Sequence, residues 1–293
     1  MIRLGLLLLL SAGLSAAESN VGFDAAATVY QAAAVRAQVR ASLGSMPKKM
    51  RRLYSADEPA ELSEEQLAAV EMSAAQGFRI DVFEPPAIAA LAAGLDAAAA
   101  MDSLEFLQGG PGQRMVAADV ALAETDEATL DKISSGELVV RTSRERDVLL
   151  DKIEAASRSV DAAVEVYLGI ARALAIGTAI GSGLDPIAAD QRVSRNSDAA
   201  MHKEIAQRMQ VPLRRTLAYS YRDLSNADLG SILAFLNTKA GRKYVAASIA
   251  AMTAGFDAMG RRCGERIGER WRELAAAQRA KTTHAATVPP GLP

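Results

Sequence analysis

Few side chains in the sequence have the chemistry for metal binding or nucleophilic catalysis. The chain contains two histidines, His202 and His284, and a single cysteine, Cys263. A protein zinc site is usually built from about four such ligands, so these three scattered residues predict no metal centre and no cofactor. One cysteine excludes a disulfide within the chain. Cys263 is predicted to be a small buried residue, and His202 to be exposed on a polar helix.

One short pattern has the spacing of an enzyme signature. Ser45 and Lys48 match the Ser-x-x-Lys element of penicillin-recognising enzymes. The same signature needs a Lys-Thr-Gly element, where this chain has only Lys281-Thr282-Thr283 near its end. We interpret the pattern as a chance match, so it predicts no serine nucleophile.

Carboxylates are the remaining source of reactive groups. The chain has 35 acidic residues, and many pairs of them can meet in a folded protein. A hydrolase or lyase that acts on an envelope polymer through two carboxylates is therefore an alternative interpretation. It requires a cleft in which two carboxyl groups have raised pKa values.

A stripe of arginines marks the last helical segment. Arg262, Arg266 and Arg270 recur at four-residue spacing, which places them on one helix face beside Glu265, Glu269 and Glu273. Such a face is usually solvated and internally paired. The alternative is a possible interaction face for an acidic partner, because basic residues also exceed acidic ones over the second half of the chain.

The first residues have the pattern of a secretory signal. Met1-Ile2-Arg3 is followed by an apolar run to about Leu14 and by the small residues Ser15-Ala16-Ala17. We predict a signal peptide at 1–17 and a periplasmic or secreted protein. The run is too short to span a membrane, which needs ~20 apolar residues, so no transmembrane anchor is predicted after cleavage. A buried N-terminal helix is the alternative.

The composition favours helices over strands. Hydrophobic residues make up 50% of the chain and aromatic residues only 4%, and much of the apolar content is Ala. Ala has the highest helix propensity, and no convincing run of alternating β-branched residues indicates a strand. The sequence predicts an all-α antiparallel helical bundle with an N-terminal half at 18–141, a C-terminal half at 142–279 and a disordered tail at 280–293.

The longest helix is predicted from Thr142 or Ser143 to about Ile180. Its last part, residues 173–184, is apolar on nearly every side, which predicts a buried central helix. The other predicted landmarks are a helix from Asp24 to Leu43, a capping box at Ser63 and Gln66, a break at Pro85-Pro86, a helix start at Pro212 and a last helix from Arg242 to about Ala277.

Three glycines on the last helix predict a close helix contact. Gly260, Gly264 and Gly268 recur every four residues, and each costs ~1 kcal/mol relative to Ala inside a helix. Three on one face indicate that another helix backbone passes close by. The Ala-rich segment 171–180 is the predicted partner.

Two segments of the chain match at a constant offset without a gap. Leu104-Glu105-Phe106-Leu107 corresponds to Leu233-Ala234-Phe235-Leu236, and Gly112 corresponds to Gly241. A Val-Ala-Ala helix follows each glycine. The shared pattern predicts two helical hairpins in which Phe and Leu face inward and Gly permits the turn. We predict that the two halves arose by duplication.

The second copy resembles a known family. Ser225, Asp228, Phe235, Gly241 and the pair Arg242-Lys243 fit the pattern of the domain-of-unknown-function 2059 family of exported bacterial proteins. The match covers residues 224–252, with a more diverged copy at residues 95–121. Leu236 departs from the pattern, where a second aromatic residue is expected. The resemblance implies a helical fold and an exported location, and it implies no activity.

These observations favour a non-enzymatic binding or interaction module of the cell envelope, with an envelope protein or an anionic polymer as its partner. A carrier of an apolar ligand is a further alternative, which requires a sizeable cavity between helices. Nucleic acid is not a predicted partner, because export separates the protein from it and no binding motif is present.

Overall fold

In the computed structural model, residues 20–55, 62–194 and 199–287 are described, and all of their regular elements are α-helices. The prediction of an all-α fold is confirmed for these ranges. The predicted signal peptide lies outside them. The helices are α1 Phe23–Ala32, α2 Val35–Leu43, α3 Met46–Ser55, α4 Glu64–Gly77, α5 Ile80–Gly94, α6 Ala97–Gln108, α7 Gly110–Ala123, α8 Glu127–Ser135, α9 Arg144–Ser157, α10 Ser159–Gly181, α11 Pro186–Ser194, α12 Ala199–Ser220, α13 Asn226–Leu236 and α14 Lys239–Thr287.

Several predicted helix ends are wrong. Ala34 and Arg158 adopt left-handed backbone conformations, with φ of 51° and 52°, and each divides a helix that was predicted to be continuous. Pro85-Pro86 and Pro212 lie inside α5 and α12, although Pro removes a backbone hydrogen bond. In α5 the buried side chains around the prolines offset this loss. The final helix extends to Thr287, past the predicted end at Ala277 and into the predicted tail.

Helix α14 is the central element of the fold. One face of it packs against α4 and α5, and another packs along the full length of α10. The ring of Phe83 on α5 meets Phe256 on α14 edge to face, with centroids 5.2 Å apart. Buried residues from α1 to α14 form one hydrophobic core. The segments 18–141 and 142–279 therefore share a core across α14.

The predicted glycine contact is confirmed. A Cβ atom built on Gly264 would lie 2.3 Å from the carbonyl oxygen of Leu174, and one on Gly268 would lie 2.3 Å from that of Thr178. The approach is mutual, because a Cβ on Gly177 of α10 would lie 2.2 Å from the carbonyl oxygen of Arg261. Backbone atoms of the two helices are thus in direct contact, which only glycine allows.

The direction of this contact corrects the predicted antiparallel arrangement. Gly169 lies against Thr253, Gly177 against Arg261, and Gly181 against Glu265. Residue numbers rise together along both helices, so α10 and α14 run parallel. A parallel pair needs a return connection, and helices α11, α12 and α13 provide it. By contrast, α5 runs antiparallel to α14, with Gly94 against Ala247 and Phe83 against Gly255.

Candidate functional site

The predicted arginine face is partly engaged inside the protein. Arg262 is exposed. Arg266 is half-buried and donates a hydrogen bond to Oε1 of Gln76 on α4, 2.9 Å away. Arg270 pairs with Glu273 on its own helix at 2.9 Å. Two of the three guanidinium groups thus have partners in the chain, as expected for a paired face. The role of this face in binding a partner stays a prediction.

Cys263 and His202, two of the residues singled out for reactivity, lie on different helices, α14 and α12. Cys263 is fully buried, and burial raises the pKa of its thiol to about 12, so the thiol stays protonated and inert. His202 is exposed on α12, as predicted. Within the described ranges no three His, Cys, Asp or Glu side chains are grouped so that they can hold a metal ion.

The two predicted hairpins pack on each other. The rings of Phe106 and Phe235 are stacked, with centroids 4.1 Å apart and planes 4° from parallel. Each glycine packs against the backbone of the phenylalanine in its own hairpin. A Cβ on Gly112 would lie 2.0 Å from the Phe106 carbonyl oxygen, and one on Gly241 would lie 2.0 Å from that of Phe235. The four residues hold two helix turns together, so they are structural.

Two ion pairs cross between these hairpins. Arg114 on α7 pairs with Asp228, which belongs to the capping box of α13. Lys243 on α14 pairs with Asp96, which caps α6. The hydrogen bond from Arg114 is the main reason that the pKa of Asp228 falls to about 2. In each case a basic side chain of one hairpin binds the acidic start of the other.

A cleft between α9, α10 and α12 fits the hydrolase alternative in part. Asp151 and Glu154 line it, and burial raises the pKa of Glu154. Arg214 lies between the carboxylates of α9 and bonds to both Asp147 and Asp151. This ion-pair network ties Asp151 to the guanidinium group of Arg214. A raised pKa is thus found for one carboxyl group of the cleft, that of Glu154, whereas the alternative requires two.

A large groove runs along α10, and we call it the α10 groove. Its volume is about 1250 Å³, and ligand sites typically occupy ~300–1,000 Å³. It is bounded by α10, α11 and α12, with Tyr54 of α3 at its margin. Its apolar lining comprises Tyr54, Tyr167, Leu168, Ala171, Ala175, Ala179, Leu184, Val193, Met201 and Ile205.

The groove exists because α10 is buried on one side only. Its glycine side packs on α14, but Ala171 and Ala175 on the other side are exposed, and Tyr167 is 49% exposed. The prediction of a buried central helix is thus confirmed for the α14 side of residues 173–184, where Ala173, Leu174, Ile176, Gly177 and Gly181 are buried, and it is wrong for the other side. Among the described residues, α10 is also the one helix that is long and apolar enough to cross a membrane by length and composition alone.

The charged side chains among the described lining residues of the groove are all basic. Arg172, Arg192 and Lys203 line it, together with His202, and no acidic residue is among the described lining residues. Arg172 forms an ion pair with Asp190 at 2.9 Å. Arg192 and Lys203 are exposed. An apolar trough edged by cations complements a molecule with an apolar chain and an anionic head.

Comparison with family models, with curated proteins and with solved structures found no match to this chain. The resemblance of residues 224–252 to the 2059 family stays a prediction. The geometry of the site is therefore the basis for a functional conclusion.

Proposed function

We propose that this protein is an exported, non-enzymatic binding protein whose α10 groove holds a single long-chain anion, such as a fatty carboxylate. The observation that carries the proposal is the composition of the groove, whose lining is apolar apart from small polar groups and cationic side chains. Export is supported by the signal pattern of residues 1–17. The proposal combines two predictions from the sequence, a binding module of the cell envelope and a carrier of an apolar ligand, and it names the class of ligand.

The two parts of such a ligand would be bound by different forces. Transfer of each methylene from water to an apolar surface contributes about 0.8 kcal/mol. The groove offers this surface over successive turns of α10, from Leu168 through Ala175 to Ala179. A charge-assisted hydrogen bond from Arg192 or Lys203 to the anionic head adds affinity and fixes the direction of the chain.

The protein is expected to bind monomeric laurate with a roughly micromolar dissociation constant in isothermal titration calorimetry. Dodecanol, which has the same chain without the charge, should bind at least about tenfold more weakly, because it cannot form the charge-assisted bond. Reversal of two groove charges in the double variant Arg192→Glu/Lys203→Glu should weaken laurate binding by a similar factor. Ala175→Trp should obstruct the trough and weaken both ligands.

The matched control is Lys132→Glu/Lys152→Glu, which makes the same charge change on exposed residues of α8 and α9 away from the groove. It should bind laurate as the unaltered protein does. If both double variants lost the same affinity for laurate, the loss would be due to the overall charge of the protein, and the proposal would be contradicted. Binding to anionic vesicles without binding of monomeric laurate would instead identify a membrane-docking surface.

We also propose that residues 96–123 and 225–252 are two copies of one helical hairpin. Support comes from the stacked rings of Phe106 and Phe235. Gly112 and Gly241 also make the same close contact, each with the backbone of the phenylalanine in its own hairpin. The crossed ion pairs add to it, because Arg114 and Lys243 occupy matching positions and each binds the start of the other hairpin.

A chimera that carries the sequence of residues 104–115 in place of residues 233–244 is expected to retain cooperative thermal unfolding by circular dichroism. The insert keeps Phe, Gly and a basic residue at the matching positions, so stacking, turn and ion pair can re-form. The control insert is residues 145–156, which are helical in the protein but lack Phe and Gly at those positions. If the two chimeras had the same thermal unfolding transition, the proposal that the hairpins are two copies would lose its support.

A further inference from the structure

A small cavity lies in the core, where α1, α2, α5, α7 and α14 meet. Its volume is about 190 Å³, and a cavity of ~150 Å³ is large enough for benzene. The walls are mostly apolar, but the cavity also has polar groups. Its most distinctive lining residues are Tyr30, Gln38, Met115, Asp119, Tyr244 and Ser248.

Asp119 on α7 is the one charged residue among the described lining residues. Its side chain is partly buried, and no salt bridge to it is found within the described ranges. Desolvation raises its pKa to about 7, and the nearby hydroxyl groups of Tyr221 and Ser220 offset this rise only in part. A carboxylate removed from water without a cation is costly, and proteins usually pair such a group.

A second polar group in the same cavity is incompletely satisfied. Tyr30 is only 3% exposed, and within the described residues its hydroxyl group has no hydrogen-bond partner of normal geometry. Burial, followed by the negative charge of nearby Glu84, raises the pKa of this phenol. Tyr244 on α14 bonds to Ser248, and burial raises its pKa to about 12. The cavity thus combines one carboxyl group that can ionise with neutral phenols.

We propose that this cavity is a binding site for a small organic cation, a primary amine attached to one ring or a short apolar chain. The ammonium group would pair with Asp119 and donate a hydrogen bond to the hydroxyl group of Tyr30. The aromatic faces of Tyr30 and Tyr244 attract a cation, and the Met115 side chain adapts to the apolar part. The site is distinct from the α10 groove, which is bounded by other helices.

The lack of a basic lining residue decides the charge of the ligand. Above about pH 7, where the Asp119 carboxyl group is mostly ionised, a neutral ligand would leave the carboxylate unpaired, and an anion would be repelled by it. Water alone would supply hydrogen bonds but no compensating charge. A cation is the class of ligand that satisfies Asp119 and Tyr30 together. The volume limits the ligand to about the size of one substituted ring.

The test is isothermal titration of the full protein with benzylamine and with benzyl alcohol, its uncharged counterpart. At pH 8 benzylamine should bind and benzyl alcohol should bind at least about tenfold more weakly. At pH 5.5 the affinity for benzylamine should also fall by about tenfold or more, because Asp119 becomes protonated while the amine stays charged. The ionisable groups around Asp119 are Tyr221, Tyr244 and, across the cavity, Tyr30, whose pKa values are all raised, so the three phenols stay neutral at either pH. The charged groups beside Tyr30 are Glu84 and Arg36, which pair with each other.

Asp119→Asn should lose benzylamine binding at pH 8, and Asp102→Asn on the exposed face of α6 should keep it. Ala251→Leu, which fills the cavity from α14, should also lose it. Equal affinity in the protein and in Asp119→Asn, equal affinity for the amine and the alcohol, or an affinity that does not change with pH would each overturn the proposal. Laurate binding by Asp119→Asn should be unchanged, which separates this site from the groove.

Discussion

Gly177→Ala is expected to destabilise the protein by about 2–4 kcal/mol. The new methyl group would lie 2.2 Å from the carbonyl oxygen of Arg261 and 2.8 Å from the nitrogen of Glu265. Both are backbone atoms of α14, so no side chain can turn away and the two helices must separate. This cost exceeds the ~1 kcal/mol that Ala contributes over Gly as a helix former. Urea unfolding followed by circular dichroism measures the loss.

Two other glycines supply matched controls for the same change. A Cβ on Gly169, also on α10, would lie 3.6 Å from Cγ2 of Thr253, an ordinary contact. A Cβ on Gly230 of α13 would meet no atom within 4 Å. Both variants should be as stable as the original or up to ~1 kcal/mol more stable. If Gly177→Ala proved as stable as Gly169→Ala, the close contact of α10 and α14 would be disproved.

Asp119→Asn is expected to stabilise the protein at pH 8 by about 2 kcal/mol. The pKa of this carboxyl group rises from 3.8 to about 7 on folding, so the folded state binds the proton more tightly than the unfolded state. The group therefore favours folding below pH 4, and this contribution is lost as the pH rises to 7. The full shift corresponds to roughly 4 kcal/mol, and we expect about half because the side chain keeps some solvent contact.

The free energy of unfolding from urea titrations at pH 4, 6 and 8 measures this effect. The difference between Asp119→Asn and the original protein should be small at pH 4 and should grow through pH 6 to pH 8. Asp102→Asn, on an exposed position, should show no such trend. A difference that stays constant with pH would mean that the Asp119 carboxyl group titrates in the folded protein as it does in water.

Local signals in the sequence predicted local structure well. Ser63 forms the predicted capping box, in which its side-chain oxygen accepts a hydrogen bond from the backbone N–H of Gln66. Cys263 is buried, as predicted. These features depend on a few neighbouring residues and on the hydrophobicity of one side chain, so composition and spacing are sufficient to predict them.

Helix breaks were predicted less well. Arg158 adopts a left-handed conformation that Gly normally favours, and nothing in its residue type indicates a break. Pro212 continues a helix that its type predicts to begin there. In both cases the observed conformation goes against a local preference of a few kcal/mol at most.

The candidate sites depend on contacts between distant parts of the chain. The sequence identified residues 173–184 as apolar, but it could not show which side α14 would cover and which side would remain to form the groove. It likewise gave no sign that Asp119 would meet Tyr30 and Tyr244, because these residues belong to α7, α1 and α14. A carboxylate on a helix is usually solvated, and only its neighbours in space raise its pKa.

The sequence by itself determined the helical class, a capping box and the glycine face that brings two backbones together, because each depends on residues within a few turns of one another. The tertiary structure alone decided that α10 and α14 run parallel, that one side of α10 stays uncovered and that a partly buried carboxyl group lines a cavity. Helix propensity and hydrophobic spacing state which face of a helix is buried. They do not predict which helix covers that face or whether the two helices run parallel or antiparallel, since burial of apolar surface is non-directional.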